Sequence, residues 1–159
     1  MPTRLIAIAV FAFGVMLGCG SIGEITLAMH PSLLPPDALK IPFMAAHQTS
    51  WGLRGWMIGA NLVNLACALT FLVAAVALLR HDARGWARLR AAAGVLGAVA
   101  LVGVPVCLRY LLPIESGPGR DGSIVMLASV VGAAAGLAAF CLGLVALATR
   151  ALRRSPAHF

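Results

Sequence analysis

The most reactive candidates in this chain are ionisable side chains inside long apolar segments. Glu24 lies near the end of the first apolar run, residues 5–29, and Arg109 lies near the end of the third, residues 91–112. A charge at the centre of a membrane-spanning helix costs about 2.5–3.5 kcal/mol even on the mildest scale, so such residues usually serve a function. We predict Glu24 as a catalytic proton acceptor or ligand anchor, with Arg109 or Arg54 as its charge partner.

A second polar group surrounds the start of the second apolar run, residues 54–79. His47, Arg54 and Asn61 are seven residues apart, so a continuous helix would present them on one face, with Asn64 one turn further. If the first and third runs cross the membrane in the same direction, Glu24 and Arg109 share this depth. The residues predicted to line one outward-facing polar pocket are Glu24, His30, His47, Arg54, Asn61 and Arg109.

The same residues have a structural interpretation that the sequence leaves open. Glu24 and one of the two arginines would form an interhelical ion pair that fixes packing, and Arg54 would reach the headgroups beside aromatic residues of the membrane interface. His30 and His47 would be interfacial hydrogen-bonding residues. Alternatively, His30 or His47 would bind a metal or haem, since two histidines and a carboxylate are a metal-capable set, and the sequence leaves this open. Their spacing is not a recognisable ligand pattern, so we name no metal ligands and assign no cofactor.

Composition decides the class of protein. The 159 residues are 61% hydrophobic and 11% charged, whereas soluble domains are roughly 45–50% apolar and about 25% charged. The net charge of +7 comes from arginines at the ends of apolar runs. Basic residues do not alternate with aromatic ones as they do in proteins that bind single-stranded nucleic acid. We therefore predict a single transmembrane domain with no nucleic-acid partner.

Four apolar runs have the roughly 20 residues that a membrane-spanning helix needs. They predict an all-α, integral membrane four-helix bundle with spans at residues 5–29, 54–79, 91–112 and 124–149. The first run continues past Cys19, which favours an uncleaved helix over a lipoprotein signal. The predicted connections are a proline-rich loop at 30–53 with a short helix from Phe43 to Trp51, a basic loop at 80–90 and a Pro/Gly turn at 113–123.

Arginine placement predicts the orientation. Arg80, Arg84, Arg88 and Arg90 crowd the second connection, Arg150, Arg153 and Arg154 crowd the tail, and Arg4 precedes the first run. Because positive charge prefers the cytoplasmic side, both termini and the second connection are predicted to be cytoplasmic. The expected location is the inner (plasma) membrane of a bacterial-type cell, as a multi-pass protein.

Small residues predict how the spans pack. Three pairs separated by four residues, Gly14/Gly18, Gly55/Gly59 and Gly132/Gly136, would let helix backbones approach closely. Such faces suit a compact bundle, a homo-oligomer or a larger membrane complex. The four cysteines fall one in each run and are interpreted as small buried thiols, because no spacing supports a copper or cluster site.

Several of these residues also form a family pattern. A glycine-rich first span that ends in a carboxylate is followed by His-Pro, a Pro-Pro loop and an aromatic entry to the second span. The residues are Gly20, Gly23, Glu24, Pro31, Pro35, Pro36, His47, Gln48 and Trp51, with a further echo at Arg109–Glu115. This pattern resembles the anthrone-oxygenase-like family of small four-helix membrane proteins, although Glu115 stands near the family's asparagine. The resemblance implies a four-helix bundle and, for a few members, oxidation of polycyclic aromatic compounds without an obvious bound cofactor.

Three functions follow as hypotheses. The leading one is a polar pocket for a small hydrophobic or aromatic molecule, with oxygenase-like chemistry at Glu24. The alternative is a non-catalytic accessory or assembly subunit of a larger membrane complex, favoured by the short loops and small-residue faces. The third is a small proton-coupled exporter, because small multidrug transporters carry a carboxylate in their first span.

Overall fold

The computed structural model describes residues 2–33, 50–111 and 120–154, with side-chain detail for 3–30, 32–33, 50–109 and 128–153. Within these ranges the regular structure is entirely helical. It comprises α1 (Pro2–Met29), a short 3-10 helix (Pro31–Leu33), α2 (Trp51–Leu79), α3 (Arg84–Leu111) and α4 (Arg120–Arg154). The predicted all-α fold is confirmed for the described residues.

Each of the four long helices is long and apolar enough to cross a membrane. The apolar segments run over Thr3–Met29, Trp51–Leu79, Arg84–Arg109 and Ala128–Arg153. At 1.5 Å per residue they are about 39–44 Å long, against about 30 Å for the hydrocarbon core of a bilayer. Their ends therefore have room to reach the interfacial layers, and α3 continues through Pro105 as expected.

The basic loop predicted at 80–90 is wrong for residues 84–90, which belong to α3. Only residues 80–83 connect the helices, and backbone hydrogen bonds close this turn: His81 N–H donates to Leu78 O at 3.1 Å and Asp82 N–H to Ala77 O at 2.9 Å. His81 adopts the left-handed conformation at φ 60° that this type of helix end requires. Asp82 then begins the next helix, because its Oδ1 accepts a hydrogen bond from Arg84 N–H at 2.9 Å.

The backbone is helical from Arg120, so residues 120–123 of the predicted Pro/Gly turn belong to α4. A short helix is predicted from Phe43 to Trp51, and its residues 43–49 lie outside the described residues. Ser50, near the end of that segment, caps α2, since the Ser50 side-chain oxygen accepts a hydrogen bond from Leu53 N–H at 3.3 Å.

The helices pack in chain order: α1 on α2, α2 on α3 and α3 on α4. Phe13 of α1 joins the first and last helices, because its ring lies 5.4 Å from that of Phe71 and 5.0 Å from that of Phe140. Gly14 permits the close approach of α1 and α2, since a Cβ there would lie 3.2 Å from Ala68 O. Of the predicted glycine pairs, Gly14/Gly18 therefore packs between helices.

The other two glycine pairs face no neighbour among the described residues. No described atom of another element lies within 4 Å of the position that a Cβ would take at Gly55, Gly59, Gly132 or Gly136. The prediction of four buried thiols is also wrong in part. Cys67 and Cys141 are buried and Cys107 is half-buried, but Cys19 is exposed.

We call the end with the α1 N-terminus, the 80–83 turn and the α4 C-terminus the basic end. The opposite end, where α1 finishes and α2 begins, is the loop end. The buried apolar cluster lies in the half nearer the basic end. Its members are Ala7, Val10, Cys67, Phe71, Ala74, Ala75, Leu78, Leu89, Ala92, Ala93, Leu96, Cys141 and Ala148.

Candidate functional site

Gly14 of α1 contacts α2, and Glu24 lies on the helical stripe that continues from Gly14. The stripe repeats every three and four residues, the spacing that keeps side chains on one face of a helix. Most of its members are buried, including Ser21 and Ala28 on either side of Glu24, which are 2% and 1% exposed. Glu24 itself is exposed. The stripe consists of Ala7, Val10, Gly14, Leu17, Ser21, Glu24 and Ala28.

The facing stripe of α2 changes character along its length. Toward the basic end it is apolar and fully buried, with Phe71 and Ala75 both 0% exposed. Toward the loop end the same spacing carries Asn64, Asn61 and Arg54, which are half-buried. Polar groups therefore occupy the positions that continue a packed apolar stripe. The whole stripe is Arg54, Met57, Asn61, Asn64, Ala68, Phe71, Ala75 and Leu78.

The packing register brings the polar parts of the two stripes to the same level. Gly14 lies against Phe71, with its Cβ position 3.2 Å from the Phe71 Cβ. The helices are antiparallel, so seven residues along each helix Ser21 lies roughly level with Asn64. Three residues further, Glu24 lies level with Asn61. We call Ser21, Glu24, Asn61 and Asn64 the polar seam.

The two asparagines of the polar seam differ in their hydrogen bonds. The Nδ2 group of Asn61 donates to Met57 O of its own helix at 2.9 Å. The Oδ1 atom of Asn64 is buried and accepts no hydrogen bond within the described part of the chain. A buried polar atom in that state costs about 1–3 kcal/mol. The seam therefore holds an acceptor that packing alone leaves unsatisfied.

The Glu24 carboxylate forms neither of the ion pairs considered above. Among the described residues it makes no hydrogen bond or ion pair. Arg109 is exposed on α3. The register of α1 against α2 places Glu24 roughly level with Asn61 of α2.

Arg54 lies toward the loop end, beyond the polar seam. Its guanidinium carbon is 5.1 Å from the ring centroid of Trp51, a cation–π geometry. In the packing register, position 54 lies opposite the end of α1, where His30 is exposed and its backbone N–H donates to Thr26 O at 2.9 Å. Arg54 and His30 therefore lie at a similar level, beyond the seam toward the loop end. His47 lies outside the described residues.

Sequence reasoning missed Ser21 and gave Asn64 only a secondary place. The signal that could have found Ser21 is its position three residues before Glu24, on the same helical stripe. No cluster of three or more histidine, cysteine or carboxylate side chains suited to a metal ion is found in residues 2–33, 50–111 and 120–154. The chemistry available at the seam is thus that of one carboxylate, one hydroxyl and two amides.

Comparison with known proteins assigns no family. No protein-family model matches this chain, and no curated protein or solved structure matches it. The resemblance to the anthrone-oxygenase-like family stays a prediction from the residues quoted above.

Proposed function

We propose that this chain is a multi-pass membrane protein whose polar seam binds a small hydrophobic or aromatic molecule through a polar group. The observation that carries the proposal is Glu24, a carboxylate exposed on a stripe whose neighbours Ser21 and Ala28 are buried. A stripe that served only packing would be apolar at this position. A hydroxyl or amide of a bound molecule would supply the donor that Asn64 Oδ1 lacks.

The orientation in the membrane is part of the proposal. Seven arginines gather at the basic end of the bundle: Arg4, Arg80, Arg84, Arg88, Arg90, Arg150 and Arg153. The positive-inside rule then assigns the basic end and both termini to the cytoplasm of a cell with an inner (plasma) membrane. In this orientation the polar seam lies in the half of the bundle on the outer side of the membrane.

The chemistry of the seam suits a weakly acidic substrate. Glu24 would accept a proton from a phenolic O–H or an activated C–H group, and the Asn61 and Asn64 amides would orient the substrate oxygen. In the oxygenase-like form of the proposal, dioxygen is the oxidant. A CH₂ group becomes C=O, and the second oxygen atom leaves as water.

Binding of a tricyclic aromatic ketone such as anthrone to the purified protein in mild detergent tests the proposal. We expect Glu24→Gln to weaken binding about ten- to 150-fold, because a hydrogen bond to a charged group contributes about 1.5–3 kcal/mol. Thr26→Val is the matched control, since Thr26 lies at similar depth on another face of α1 and donates to Ile22 O. Unchanged binding in Glu24→Gln would reject the binding site.

A second candidate function is an accessory subunit of a larger membrane complex. The observation that favours it is the open face of α4 at Gly132 and Gly136. Purification in mild detergent separates the two candidates. A second protein in stoichiometric amount supports the subunit function, and a lone monomer or homodimer speaks against it.

A further inference from the structure

A cleft lies at the basic end, between α2 and α3 and far from the polar seam. Its volume is about 350 Å³. The residues that form its walls and rim include Val73, Val76, Ala77, Arg80, Asp82 and Arg88. The cleft therefore combines an apolar wall with a charged rim.

The apolar wall follows one face of α2 down to the rim. Val73, Val76 or Ala77, and Arg80 succeed one another at three or four residues, so they stack along the helix. The distance from Val73 to Arg80 along the axis is about 10 Å. Val73 and Val76 are 52% and 41% exposed, so this wall is open on the outside of the bundle.

The rim carries a net positive charge. Arg80 and Arg88 are exposed and form no ion pair within the described residues. The carboxylate in the cleft, Asp82, is engaged with the backbone, since its Oδ1 accepts the Arg84 N–H at 2.9 Å. Guanidinium groups match the geometry of phosphate oxygens, which accept two parallel hydrogen bonds from one arginine.

We propose that this cleft binds an anionic phospholipid of the membrane leaflet at the basic end. Arg80 and Arg88 hold the headgroup phosphate, and an acyl chain lies along Val73 and Val76. Basic pockets between helices on the cytoplasmic side of membranes bind anionic headgroups in this way. The apolar wall favours a lipid over free phosphate, because a phosphate ion would leave that wall unused. The site lies at the other end of the bundle from the polar seam and does not depend on its function.

Native mass spectrometry of the purified full chain tests the proposal with phosphatidylglycerol and phosphatidylcholine as probes. We expect preferential retention of phosphatidylglycerol by the unmodified protein. Arg80→Gln with Arg88→Gln should weaken that binding about ten- to thirtyfold. The control is Arg150→Gln with Arg153→Gln, which removes the same amount of charge from exposed positions of α4, also at the basic end. This control should change binding less than about twofold.

Equal loss in the two double variants would overturn the site, because it would show attraction by overall charge alone. Displacement of the lipid by millimolar inorganic phosphate would overturn the assignment to a lipid. Val76→Trp fills the apolar wall and leaves the arginines in place, so it tests the acyl-chain contact without changing the charge. Loss of phosphatidylglycerol in Val76→Trp supports that contact, and undiminished binding contradicts it.

Discussion

The two halves of the α1–α2 interface follow one spacing and have different interiors. In the half at the basic end, Gly14 lies against Ala68 and Phe71, and the stripe residues are small or apolar and buried. In the half at the loop end, the same helical positions hold Ser21, Glu24, Asn61 and Asn64. Spacing therefore brings the helices together, while residue type decides whether the interface is a packed core or a polar seam.

The largest effect is expected in the packed half. Phe71→Ala removes a fully buried ring that contacts Phe13, and it should lower the free energy of unfolding by about 3–5 kcal/mol. Thermal unfolding in detergent measures this loss. Phe11→Ala is the control, because Phe11 is 45% exposed on α1 and its truncation should cost much less. Similar losses for both would mean that the packed half does not hold the bundle together.

A smaller loss should follow from a side chain at the helix–helix contact. Gly14→Val places atoms where Ala68 O and Phe71 Cβ already lie within 3.2 Å, and it should destabilise the fold by about 1–3 kcal/mol. The same substitution at Gly20, which has no described neighbour within 4 Å, should leave the unfolding temperature nearly unchanged. An equal drop at both positions would trace the loss to valine in a helix rather than to this contact.

In the polar seam one substitution should raise the free energy of unfolding rather than lower it. Asn64→Leu removes the buried acceptor that has no donor in the described residues, so it should stabilise the ligand-free protein by about 1 kcal/mol. It should also abolish binding of the aromatic probe. Asn61→Leu is the comparison, because it removes an amide that already donates to Met57 O. Destabilisation by Asn64→Leu, measured by the same thermal unfolding, would show that Asn64 serves packing.

The helical class predicted from the sequence is confirmed for the described residues, whereas the site residues stay a prediction. Four uninterrupted apolar runs mark the helices, because only helices satisfy all backbone groups within a single membrane-spanning segment. The start of α3 was missed because the arginines of 84–90 resemble a loop, although Asp82 caps a helix there and Leu89 is buried. A run of charged residues does not show whether the backbone near the end of a span is helical.

The sequence indicates candidate site residues only where local spacing places them on one face of a helix. Glu24 lies on the α1 stripe and Asn61 on the α2 stripe. The three- and four-residue spacing within each helix is enough to predict those positions. Ser21 was overlooked because a small polar residue in an apolar run carries little signal without the partner stripe. The side of the bundle on which Arg109 lies depends on how α3 is rotated about its own axis relative to the neighbouring helices. No local sequence pattern encodes that rotation.

The central claim is that Glu24 faces a polar, water-accessible seam rather than lipid. With the four native cysteines replaced by alanine, Glu24→Cys can be compared with Ile22→Cys in proteoliposomes, using a membrane-impermeant maleimide. Ile22 is 55% exposed on another face of the same helix and serves as the lipid-facing control. Because the thiolate is the reactive form and needs water, position 24 should react at least about tenfold faster than position 22. Equally slow labelling at both positions would contradict the polar seam.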